Sequence, residues 1–137
     1  MKHKLYCIFA DESVKKMNGI RGKMCTQAGH AYVHSIWDAF APSFNLIKMF
    51  RKIKQAYAYK HSERAYKITL RVSTVDELKA LQEKYKDICG TSLVTDAGFT
   101  VFKDENGNPQ PTVTCLGLGP ISEDNIGDDL KALKTFC

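Results

Sequence analysis

Along this chain the apolar residues recur by turns at a period of two and at a period between three and four, and that alternation leaves few folds open. Residues 5–10 (LYCIFA) are a short apolar run that stops at Asp11 and Glu12, and they read as a strand. A polar, glycine-containing loop over residues 11–21 leads to a helix from about Gly22 to Phe40, which Pro42 breaks. Leu46, Ile47, Phe50, Ile53 and Tyr57 repeat at helical spacing, so residues 46–57 are a second helix. Tyr66, Ile68 and Leu70 then alternate with Lys67, Thr69 and Arg71, which predicts a strand. Thr74 and Glu77 are spaced as a capping box ahead of a helix that runs to near Gly90. TSLVTDAG is a short strand ending at Asp96. FTVF and PTVTCLGLG are strands flanking a polar loop with the hairpin signal Asn106-Gly107, and Gly119-Pro120 closes the second. Ser122 caps a last helix that turns Ile126, Leu130 and Leu133 inward. Strands separated by helices, with one hairpin, predict an α/β layered domain around a small mixed sheet.

At 137 residues the chain is read as one domain, long enough to bury a core. No apolar run approaches the roughly 20 residues that span a bilayer, and the apolar run after Lys4 is too short for a secretion signal. Five scattered cysteines, an odd number with no CxxC pair, point to reduced thiols and a cytoplasmic location. The charge is uneven: residues 1–70 carry 13 Lys/Arg against 4 Asp/Glu, residues 71–137 carry 7 against 11, and the net is +5. A basic half suits an anionic partner, nucleic acid first, although a solvated charged surface has the same composition.

The stretch GIRGKMCTQAGHAYVH puts Lys23, Gln27, His30 and His34 at steps of four, three and four residues. At about 100° per residue these fall within roughly 60° of one another on the first long helix. Cys25, Tyr32, Val33, Ile36 and Phe40 occupy its other sides, and Cys25 is accordingly read as core rather than nucleophile. Lys23 sits in the first turn behind two glycines, where unpaired amides and the helix dipole favour anions. A phosphate or an oxyanion would explain a lysine there; an ordinary exposed lysine at a loop–helix junction is the alternative. Asp96 ends an apolar strand, where carboxylates of open α/β sheets face the ligand crevice, but Asp also caps turns. Thr100 and Thr114 are equally at home as plain strand residues.

One other chemistry is excluded and a second is disfavoured. NGIRGK has only two residues between its glycines and Met24 where Ser or Thr is needed, so it is no phosphate-binding P-loop. His30, His34 and Asp38 lack an HExxH arrangement and spread over two turns of one helix, a poor metal set. Between residues 46 and 67, Lys48, Arg51, Lys52, Lys54, Lys60, Arg64 and Lys67 face a single acid, Glu63, with Tyr57, Tyr59 and Tyr66 interleaved. That mixture suits a phosphate backbone with exposed bases, or equally an amphipathic helix with a charged outer face.

Together these pieces resemble the archaeal-eukaryotic (type 2) class of peptidyl-tRNA hydrolase. The family's strand, glycine loop and K-x-x-x-Q-x-x-H-A helix are matched by KKMNGIRGKMCTQAGHA, with Lys23, Gln27, His30 and Ala31 in register. Its DAGxT is matched by DAGFT, Asp96 to Thr100, and its T-V-L-x-I-G-P by TCLGLGP, Thr114 to Pro120. The resemblance runs from about residue 4 onward, in order. It implies a three-layer α/β/α fold with a four-stranded mixed sheet and helices on both faces, a homodimer, and no cofactor or metal. It also implies hydrolysis of the ester joining a peptide to the 3′ ribose of tRNA. Lys23, Gln27, Asp96, Thr100 and Thr114 would form the active site with His30 close by. Arg21, Lys48, Arg51, Lys52 and Lys54 are candidate tRNA-binding residues by their charge alone, because the resemblance does not carry over into residues 41–65, whose role (tRNA binding, a dimer contact or neither) it leaves open. The glycine loop is longer than the family's, Gly29 replaces a small polar residue, and the basic segment 41–65 reads as an insert. A non-catalytic RNA-binding module of the same fold is the alternative.

Overall fold

The computed structural model describes residues 2–137. Strand β1 (His3–Ala10) leads through helices α1 (Asp11–Lys16), α2 (Arg21–Ala39) and α3 (Leu46–Lys60) to β2 (Tyr66–Val72). Helix α4 (Val75–Tyr85), strands β3 (Thr91–Asp96) and β4 (Thr112–Ser122), helix α5 (Asp128–Lys131) and strand β5 (Lys134–Thr135) follow. One open mixed sheet has the order β3-β4-β1-β2-β5, with β1 parallel to β2 and antiparallel to β4. The sheet therefore has five strands rather than the expected four. The extra strand, β5, pairs only Thr135 and Lys134 with Leu70 and Arg71, too short a run for any alternation to announce it.

β1 is buried along most of its length and feeds two cores, because successive side chains leave a strand on opposite faces. Tyr6, Ile8 and Ala10 pack with Leu78, Leu81 and Tyr85 of α4, Leu116 and Leu118 of β4, and Leu130 of α5. Cys7 and Phe9 pack with Met17, Ala31 of α2, Val94 of β3, Phe102 and Cys115. α2 lies unusually close to the sheet. A Cβ on Gly117 would stand 2.0 Å from the Ala31 carbonyl oxygen, and one on Gly90 2.0 Å from that of Ser35. Bare backbone at both positions lets the helix settle onto the strands, and so fixes the height of everything α2 carries.

The capping box at Thr74 and Glu77 is present as expected. Other local readings change. Residues 11–16 are a short helix rather than loop; the acids Asp11 and Glu12 lie in its first turn and Lys15 and Lys16 in its last, which suits the helix dipole. It is too short to show periodicity, yet Ser13 is buried and donates to the Val113 carbonyl at 2.6 Å. FTVF is not a strand: β3 pairs directly with β4, and residues 97–111 form the connection. That loop makes its own turn, in which Asp104 Oδ1 accepts from the amides of Asn106 and Asn108, with a bridge between Lys103 and Pro109. β4 continues past Gly119-Pro120 to Ser122, opposite a register shift between Lys4 and Tyr6. The last helix is a 3-10 turn over Glu123–Asn125 followed by the single turn of α5, with Ile126 and Leu130 buried. Cys25 is exposed, not core, and Val33 and Phe40 are exposed too. Only the narrow strip Gln27, Ala31, Ser35, Ala39 is fully buried on α2.

Candidate active site

The site forms where the amino end of α2 meets the carboxyl end of β3. Asn18 and Gly19, both at positive φ (50° and 73°), turn the chain into α2. Ile20 offers no side-chain cap and the first turn carries no acid. The first amide to bond back into the helix is that of Met24, to the Ile20 carbonyl at 3.2 Å. The amides before it point outward at the positive end of the dipole.

Asp96, the last residue of β3, is 7% exposed and gathers the surrounding groups. The Lys23 ammonium contacts its Oδ2 directly, and also donates to Thr100 Oγ1 at 3.2 Å. Gln27 Nε2 donates to the same Oδ2 at 3.0 Å, and the Gly98 amide donates to Oδ1 at 2.8 Å. Thr114 Oγ1, fully buried in β4, donates to Gln27 Oε1 at 2.7 Å. The carboxylate fixes the sense of the Gln27 amide, since its oxygen could not face Asp96 without repulsion. Burial pushes the Asp96 carboxyl upward, but the bonds from Lys23, the Gly98 amide and Gln27 outweigh it and hold the group below its ordinary value. The result is an ionised carboxylate, a lysine side chain only 19% exposed, and outward amides in one crevice.

The structure thus brings together five of the residues singled out above: Lys23, Gln27, Asp96, Thr100 and Thr114. His30 stands one turn beyond Gln27 on the exposed flank, and among the described residues no hydrogen bond joins it to the network. Its ring lies 5.5 Å from that of His34, which stacks on Trp37 at 5.2 Å. Asp38 faces elsewhere: its Oδ2 accepts the Thr91 amide at 2.9 Å and pairs with Lys52 at 3.4 Å. Among the described residues no three His, Cys, Asp or Glu side chains gather into a metal-binding group. Gly98 was missed as a site residue. The Asp-x-Gly spacing carries the signal, because an Asp side chain readily accepts the amide two residues on, and Gly98 has φ 84°.

The basic segment lies at the other end of α2. Lys48 pairs with Asp87 at 2.9 Å, and Arg51 donates to Asn125 Oδ1 at 3.2 Å. Lys54 is exposed; Arg21, also exposed, is the first residue of α2 and lies at the opposite end, near Lys23. Lys52, through Asp38, ties α3 to the end of α2 remote from Lys23.

Against known proteins, residues 9–136 match the family described as Peptidyl-tRNA hydrolase PTH2. A protein of Nanoarchaeum equitans named peptidyl-tRNA hydrolase is 27% identical over 124 residues, which cover 89% of this chain and 93% of that one. One of the same name from Methanothermobacter thermautotrophicus is 32% identical over 119 residues, covering 82% and 88%. The family match takes in β2 to β4, all five helices and every residue of the network, and this chain belongs to the PTH2 peptidyl-tRNA hydrolase family.

Proposed function

We propose that this chain hydrolyses the ester between a peptide and the 3′ ribose of tRNA, with Lys23, Gln27, Asp96, Thr100 and Thr114 as its active site. The observation that carries the reading is the direct Lys23–Asp96 pair at the open amino end of α2, inside a family match that spans both residues. The Lys23 ammonium and the outward amides stabilise the oxyanion that forms when water adds to the ester carbonyl. Asp96, ionised throughout the neutral range, aligns that water by accepting its hydrogen bond and takes up its proton as the new C–O bond forms. Collapse of the tetrahedral adduct breaks the bond to the ribose oxygen, which takes that proton from Asp96. The released peptide acid loses its remaining proton to solvent and leaves as its carboxylate. Gln27, fixed by Thr114, keeps Asp96 in place, and Thr100 does the same for Lys23. His30, exposed one turn on, is in position to touch the substrate.

The reaction is read as metal-independent, as the family resemblance implies, and activity should persist in chelator. Arg21, Lys48, Arg51, Lys52 and Lys54 are read as tRNA-binding. Residues 1–137 are taken as one domain with a basic insert at 41–65, the helices flanking the sheet as a three-layer α/β/α arrangement. A homodimer is supported by the exposed Phe44, Leu46, Ile47 and Phe50, and a cytoplasmic location by the free cysteines. The direct test incubates the purified chain with an N-blocked aminoacyl-tRNA. Release of the blocked amino acid with intact tRNA is expected; binding without release would instead favour the RNA-binding module.

A further inference from the structure

The polar stripe on α2 does not end at His34. Trp37, three residues further, falls about 40° from Lys23 around the helix axis, so Lys23, Gln27, His30, His34 and Trp37 share an arc of roughly 80°. The last three are exposed rings in sequence along the helix, 5.5 Å and 5.2 Å apart, with the His34–Trp37 pair stacked at 19°. At about 1.5 Å per residue they stand roughly 10, 16 and 21 Å beyond Lys23.

Their flank of α2 is open. Gln27, Ala31, Ser35 and Ala39 face the sheet, and Tyr32 on the far side bonds to Thr69 of β2. β3, the edge strand, runs antiparallel beneath α2, with Thr91 under Asp38 and Asp96 under Lys23. The rings therefore line the outer side of α2 beyond the sheet edge, leading from the ion pair at one end to the basic helix α3 at the other. Nothing in the ion-pair network needs them. Solvent-facing rings in series offer π faces to flat, unpaired bases, and cations at both ends suit the phosphates between them.

We propose that His30, His34 and Trp37 are a stacking track for the unpaired 3′-terminal nucleotides of tRNA, delivering the terminal ribose ester to Lys23 and Asp96 while α3 holds the adjoining stem. The proposal rests on the hydrolase reading above and adds the location of the tRNA end. A peptide laid along the β3 edge is the competing occupant, but it would not call for stacked, histidine-rich rings.

Trp37 is the chain's single tryptophan, so its fluorescence reports on the track alone. The full chain is titrated with uncharged tRNA carrying its complete 3′ end and with the same tRNA trimmed of its unpaired 3′ nucleotides. Quenching is expected with the first and not with the second, although both bind. In turnover, His34→Ala and Trp37→Ala should each raise KM for N-blocked aminoacyl-tRNA about tenfold, the size of one lost base–aromatic stack. Their kcat should stay near normal, and Trp37→Phe should retain most of the affinity. Equal quenching by both tRNAs, or unchanged KM in both alanine variants, overturns the track. So does a KM defect that follows peptide length rather than the tRNA end. Absence of ester cleavage by the unaltered chain would overturn the hydrolase reading instead, and the titration, which needs no turnover, tells the two failures apart.

Discussion

The Lys23 ammonium, in the first turn of α2, is paired directly with the carboxylate of Asp96, the last residue of β3. This pair closes the sheet edge against the helix and holds the Asp96 carboxyl below its ordinary value against the opposing effect of burial. A group whose folded pKa is depressed stabilises the fold above its unfolded value, about 3.9, and loses that stabilisation as pH falls through the lower folded value. Removing the ammonium leaves burial less opposed, so the folded pKa rises. Lys23→Met should therefore be less stable than the parent near pH 6 and lose less on acidification, so that the gap between the two narrows toward low pH. Thermal melts between about pH 2 and 6 would register it.

Thr114 acts at one remove, by holding Gln27. Thr114→Val keeps the shape but leaves a buried amide oxygen without its donor, at a cost of about 1–3 kcal/mol. Gln27 keeps its sense toward Asp96 but loses the bond that anchors its far end. We expect a lower melting temperature together with a fall in kcat, whereas Thr114→Ser should recover both. Denaturant melts and single-turnover ester cleavage are the measurements.

The closeness of α2 to the sheet yields a separate prediction. Gly117→Ala would drive a methyl group against the Ala31 backbone carbonyl, and a backbone atom cannot swing aside as a side chain can. Overpacking of this kind typically costs about 1–3 kcal/mol. Because Gln27 rides one turn before Ala31, the lifted helix should also weaken the Gln27–Asp96 bond. Loss of stability and loss of turnover are expected together, in contrast to Gly107→Ala, where a Cβ meets nothing within 4 Å and only the strained turn suffers.

The contrast between these positions explains how far the sequence can be read. Helical spacing marked Lys23 and Gln27 and a strand end marked Asp96, whereas Thr100 and Thr114, ordinary strand residues by type, were singled out only by the family's motifs. The assembly of β1, α2, β2, α4 and β3 followed from periodicity, which long segments display and short ones cannot. α1 and β5 escaped for that reason. FTVF misled because Phe102 is apolar for the core's sake, not for a ladder's. Cys25 misled because α2 buries only a narrow strip, its glycine-lined seat on the sheet leaving the remaining apolar side chains in solvent.

The basic helix α3 can be tested by salt. Among the described residues Lys54 of this helix is exposed without an ion pair and Arg51 bonds only to a neutral side chain, whereas Lys48 and Lys52 are already paired. If Lys54 and Arg51 contact phosphates, each alanine substitution should lower the slope of log affinity for tRNA against log salt by about one. Filter binding at several salt concentrations gives the slope.

The most direct measurement is release of the blocked amino acid from an N-blocked aminoacyl-tRNA by the purified chain, by Lys23→Ala and by Asp96→Asn, with melts to establish that each variant is folded. The parent should cleave the ester, and each folded variant should lose about 10²-fold or more in kcat, the scale of a missing oxyanion donor or water-orienting group. Near-parental turnover in both folded variants would contradict the assignment of the Lys23–Asp96 crevice as the place where the ester is broken.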